Sequence, residues 1–110
     1  MALPHHKPGE RIDVQPLGAD LSQHRTHALF KSSHLEVMRL VLKQGASLPT
    51  HKVPGEMTLQ CIEGKMDVTT QSGSHVLAAG QMLYLLGGVE HGVVALEDAS
   101  ALVTIALRPD

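Results

Sequence analysis

The 110-residue chain has no tryptophan, one phenylalanine (Phe30) and one tyrosine (Tyr84). Platforms on which bases or sugar rings would stack are therefore nearly absent. The nine lysines and arginines are scattered along the chain, and the formal charge is -2. A phosphate backbone calls for clustered positive charge, so no nucleic-acid partner is expected. The single cysteine, Cys61, excludes an internal disulfide and favours a reducing compartment. No stretch reaches the ~18 apolar residues of a membrane-spanning helix, so no membrane partner is expected either. The N-terminus, Met1-Ala-Leu-Pro-His-His-Lys-Pro-Gly-Glu10, lacks the apolar segment of a signal peptide. Together these absences make a cytoplasmic protein the default expectation. Helical periodicity of useful length is missing too, and no internal repeat stands out beyond two loosely similar halves.

What is present is β-like. The length fits one domain with a modest core. Residues 1–33 read as an N-terminal arm and lead-in. The first part carries Pro4, Pro8, Gly9 and Pro16, and residues 17–33 leave a helical turn and an early strand both open. Residues 34–110 read as the folded domain. His34–Leu42 is rich in branched apolar residues and stops before Gly45. Extended segments follow at Ser47–Lys52 and Met57–Ile62. Lys65–Thr70 returns after a Glu63-Gly64 hairpin turn. His75–Leu77, Met82–Leu86, His91–Leu96 and Ala99–Leu107 complete the series. Eight short strands with turn signals roughly every ten residues predict an all-β sandwich or barrel.

Between Val68 and Val89 there is no Asp, Glu, Lys or Arg. Strands apolar on both faces are covered on both. In a barrel one face is the interior, and the other then meets another layer or another subunit. A homodimer is the expectation.

Two segments carry a family pattern. Gly45-Ala-Ser-Leu-Pro-Thr-His51-Lys-Val53-Pro-Gly-Glu56-Met57 continues through Gly64. It resembles the first cupin motif, in which a glycine precedes His-x-His, then a Glu and a closing glycine. Gly80 through Gly88, His91 and Ala95 resembles the second motif, with Leu86 and Ala95 departing from it. The resemblance covers residues 34–107. It implies an antiparallel jelly-roll, or cupin β-barrel, of the RmlC-like kind. It also implies a metal site of three imidazoles and one carboxylate for Fe, Mn, Ni, Cu or Zn.

Only two of the four ligand positions are kept, His51 and His91. Val53 and Met57 occupy the others. Glu56 is one residue out of register, which turns a strand side chain to the opposite face. A β-bulge at Pro54-Gly55 would return it and complete a two-His, one-carboxylate set. By alternation Cys61 shares the face of Met57, and thioether, thiolate and two imidazoles would suit copper or zinc. As core residues, Met57 and Cys61 need no metal at all. The remaining histidines, His5, His6, His24, His27, His34 and His75, are expected to face solvent.

The expected ligand pocket is thus His51, Val53, Met57, Cys61 and His91. Three readings follow. A binding module holds a small organic molecule beside a degenerate metal site. A metal-dependent enzyme acts as a dioxygenase, isomerase or decarboxylase. A metal-free enzyme uses His51 or His91 as general acid or base.

Overall fold

The computed structural model describes residues 5–107. Its nine strands are β1 (His27–Lys31), β2 (Leu35–Leu42), β3 (Ser47–His51), β4 (Met57–Glu63), β5 (Lys65–Thr70), β6 (Gly73–Ala78), β7 (Met82–Leu85), β8 (His91–Ala95) and β9 (Ala99–Ala106). They form two antiparallel sheets, ordered β1-β2-β9-β4-β7 and β3-β8-β5-β6. The two sheets face each other as a jelly roll. All eight strands expected from His34 onward are present.

The physical basis is period-two alternation. In β4 the residues Met57, Leu59 and Cys61 are buried, while Thr58 and Gln60 are half-buried on the other face. In β8 His91, Val93 and Ala95 are buried in the same alternating way. Rows run across the sheet through the pairs Leu59↔Val103 and Met38↔Val103. The interior therefore combines Met38, Leu40 and Leu42 from β2 with residues of β4, β7 and β9, closed by Met66, Val68, Leu77, Val93 and Ala95 from the second sheet.

Turn chemistry closes the roll. Gly64 sits at φ +75°, and a Cβ there would collide with the carbonyl oxygen of Asp98. Only glycine permits both the left-handed conformation and that approach. Gly87 is needed for proximity alone, since a Cβ would strike the carbonyl of Pro54.

The lead-in segment resolves into a 3₁₀ turn at Gly18–Gln23 and strand β1. It is attached to the outer face of the larger sheet by two polar side chains. Arg39, 4 % exposed, donates to the carbonyls of Gln15 (2.9 Å) and Asp13 (3.2 Å). The Glu63 carboxylate accepts from the backbone N–H of Leu17 (2.8 Å) and Gly18 (2.9 Å) and from the Ser100 hydroxyl. Burial pushes the Glu63 carboxyl up; the hydrogen bonds and the nearby Arg39 charge outweigh this and hold it below its ordinary range. Among the described residues no helix is long and apolar enough to cross a membrane.

Candidate functional site

A cavity of about 220 Å³ opens at one end of the barrel. His51 and His91 line it together with Val53, Met57, Met38, Leu48 and further aliphatic residues of β4, β8 and β9. The two imidazoles are brought together by strand pairing, because His51 and His91 are direct partners between β3 and β8. Their ring centroids lie 4.4 Å apart with the planes tilted by 56°.

A register irregularity positions His51. Leu48 pairs with Val93, whereas His51 pairs with His91, so three steps on β3 match two on β8. The extra residue falls at Pro49-Thr50. Without it, alternation from the inward Leu48 would send His51 outward. A β-bulge makes the correction, and Pro49 is tolerated because β3 is the edge of its sheet. The bulge therefore lies ahead of His51. It is not at Pro54-Gly55, where it would have served Glu56.

The two rings share one orientation. His51 Nδ1 donates to the carbonyl of Pro49, and His91 Nδ1 donates to the carbonyl of Val89, both at 3.0 Å. A carbonyl only accepts, so each Nδ1 carries a proton and Nε2 is the nitrogen left for a ligand. His91 is 2 % exposed, while His51 is exposed and marks the mouth.

Glu56 does not join them. It is exposed, and its carboxylate accepts a hydrogen bond from Tyr84 on the outer face. That contact raises the Tyr84 hydroxyl above its ordinary range. Cys61 is also displaced from its expected place. It is absent from the cavity wall, and its Sγ donates to the carbonyls of Glu63 (3.4 Å) and Gly64 (3.7 Å) toward the closed end. Burial, assisted by the charges of Glu63 and Glu97, pushes the thiol up and keeps it protonated. Alternation placed Cys61 on the correct face, but it lies four residues along the strand from Met57, roughly 13 Å, enough to pass from one end of the interior to the other.

A transition-metal site needs three or four donor groups. The cavity wall supplies two imidazoles, and among the described residues no group of three His, Cys, Asp or Glu is placed to hold a metal ion. The residues present do not fit a metal held by the protein alone.

Sequence reasoning missed Thr26, which lines the cavity from the lead-in segment. Its hydroxyl accepts from the Val41 N–H at 2.9 Å and lies 3.3 Å from the Val41 carbonyl. Nothing in the local sequence marks it. Of the other histidines, His5, His24 and His34 are exposed. His6, His27 and His75 are half-buried, with ring nitrogens on the Leu29 carbonyl, the Arg25 carbonyl and the Thr70 and Ser72 hydroxyls respectively.

Comparison with known proteins agrees with this architecture. The chain is similar to a conserved Streptococcus pyogenes protein of unknown function, at 17 % identity and TM-score 0.76, covering 100 % of this chain and 97 % of that one. An RmlC-like cupin from Desulfovibrio desulfuricans matches at 22 % identity and TM-score 0.74, covering 88 % and 96 %. An RmlC-like cupin family protein with a double-stranded β-helix fold, from Methanocaldococcus jannaschii, matches at 20 % identity and TM-score 0.74, covering 90 % and 94 %. At these identities the likeness concerns the fold. No curated protein matches the chain. The family model of the Cupin domain matches residues 38–107, which spans both motifs and every cavity-lining residue except Thr26, and the chain belongs to the cupin family.

Proposed function

We propose that this chain is a binding cupin, which takes a small, largely apolar organic molecule into the barrel without a resident metal. The observation that carries this reading is the cavity itself. It is enclosed by aliphatic side chains, and its polar features are two oriented imidazoles and a hydroxyl already engaged. Concave apolar pockets with few fixed polar groups are the usual form of a small-molecule site.

The metal-dependent enzyme is the alternative. The Nδ1-to-carbonyl orientation favours it, since imidazoles that bind metal through Nε2 are commonly held this way. The donor count opposes it. A metal-free enzyme using His51 or His91 as acid or base has the same geometric support from the free Nε2 atoms.

Elemental analysis of tag-free protein purified without chelator separates the first two. The expected result is no stoichiometric transition metal in the wild type or in a His51→Ala/His91→Ala variant. Stoichiometric metal that disappears in the variant would overturn the binding reading in favour of the metal enzyme.

We also infer that the chain forms a homodimer through the outer face of the larger sheet near β7. Met82, Tyr84 and Leu86 are exposed there, within the charge-free run. A two-fold interface sets a patch against itself, so the apolar side chains of Met82, Tyr84 and Leu86 would meet their own copies, with the Glu56 carboxylate engaged by Tyr84. Sedimentation equilibrium is expected to give a dimer for the wild type and a monomer for Met82→Lys. A monomeric wild type would dispose of this inference.

A further inference from the structure

We infer that the head group recognised by His51 and His91 is a primary ammonium, carried on a compact apolar body that fills the cavity. This inference rests on the cavity-binding reading above and specifies its ligand. Each ring spends its Nδ1–H on a main-chain carbonyl. A neutral imidazole then offers only a lone pair at Nε2. With both rings neutral the site is acceptor-only, and its two acceptors belong to rings whose centroids lie 4.4 Å apart. Two acceptors cannot satisfy each other. They call for one group that donates twice.

The alternatives fail for want of partners. A hydroxyl donates once, so it engages one Nε2 and leaves the other to water at the mouth, forgoing the second contact. A carboxylate brings more acceptors to a site that already has only acceptors. A primary amide donates twice, but its carbonyl then needs a donor. Thr26 is the only other polar side chain on the wall, and its hydroxyl is engaged with the Val41 backbone. An unpaired buried polar group is costly. An ammonium has three N–H donors and no acceptor to strand. Two of them reach the imidazoles, as charge-assisted hydrogen bonds. The third keeps its water at the mouth, where His51 is exposed.

Among the described residues no cationic side chain lines the cavity. Lys52, beside His51 in sequence, lines a separate outer groove with Thr70, Ser72 and Glu90. In this chain an organic cation would thus sit where the two imidazoles alone cannot retain a metal ion.

The size of the body follows from the volume. An apolar cavity of about 150 Å³ admits benzene. The 220 Å³ here takes a ring of that size with a one-carbon arm. Four probes share this body and differ at the head: benzylamine, benzyl alcohol, benzoate and toluene. Each is titrated into the full chain and followed by calorimetry and by amide chemical shifts of cavity residues.

Benzylamine is expected to bind about ten-fold tighter than benzyl alcohol or toluene, the net yield of one to two hydrogen bonds. Benzoate is expected to bind weakest. In His51→Ala, an exposed position where folding is little disturbed, the ratio of benzylamine to toluene affinity should fall from about ten to about one. His91→Leu, which keeps side-chain bulk at this buried position and removes the acceptor, serves as the second variant and should lose the preference likewise. Equal affinity for amine, alcohol and toluene would overturn the ammonium assignment and leave the apolar cavity reading standing, as would a preference for benzoate. Failure of all four probes to bind would overturn both.

Discussion

The two ends of the barrel interior are built by the same alternation and behave differently. At the closed end Cys61, Met66, Ala99 and Ala101 are fully inaccessible. The small residues Ala99 and Ala101 on β9 let Cys61 and Met66 fill the space between the sheets. At the open end Val53 stands where the family pattern has an imidazole, and Leu48, Met57, Val93 and His91 surround empty volume. The comparison teaches that inward direction does not decide role. Direction comes from strand register, while filling comes from the summed volumes of side chains that meet across the roll.

That contrast can be broken by substitution. Met66→Ala should be the most destabilising change, by about 3 kcal/mol, because it removes packed atoms and leaves a hole in rigid surroundings. Thermal unfolding should then fall by more than roughly 10 °C for a domain of this size. Val53→Ala, at the rim of space that is already open, should cost under about 1 kcal/mol. Comparable losses for the two would mean that the ends are packed alike and that the cavity is no distinct region.

A smaller effect tests how the lead-in is fixed. Glu63→Gln weakens three hydrogen bonds that join the 3₁₀ segment and Ser100 to the closed end, and should cost about 2 kcal/mol at neutral pH. The sign of its pH dependence follows from the lowered folded value. The contribution is complete above the unfolded carboxylate value, about 4.3. It is lost as pH falls through the lower folded value. Urea unfolding of the wild type should therefore weaken in acid by more than that of the variant. Parallel pH profiles would remove Glu63 as the fixing group.

Much of the fold was legible in the sequence. The eight strands from His34 onward and the turn at Gly64 follow from alternation and from glycine's conformational freedom, both local properties. For residues 17–33 the sequence left a helical turn and an early strand as alternatives, and the structure has both, because His27–Lys31 draws its stability from pairing with β2 rather than from its own pattern. At the site, His51, Val53, Met57 and His91 do share one cavity. The inclusion of Cys61 was not sustained, since alternation names a face and says nothing of depth along the barrel. The irregularity was misplaced as well. Pro-Gly at 54–55 is the stronger local turn signal, whereas the bulge at Pro49-Thr50 is set by the pairing of β3 with β8.

The sequence by itself determined the β class, the family motifs and the loss of two metal-ligand positions, because these depend on residue identity and short-range spacing. Only the tertiary structure decided that His51 points inward, that Glu56 is held outside by Tyr84, that Cys61 belongs to the closed end and that Thr26 joins the wall. Each of those depends on which distant strand lies alongside, and strand register across a sheet is fixed by the packing of the whole interior rather than by any local run of residues.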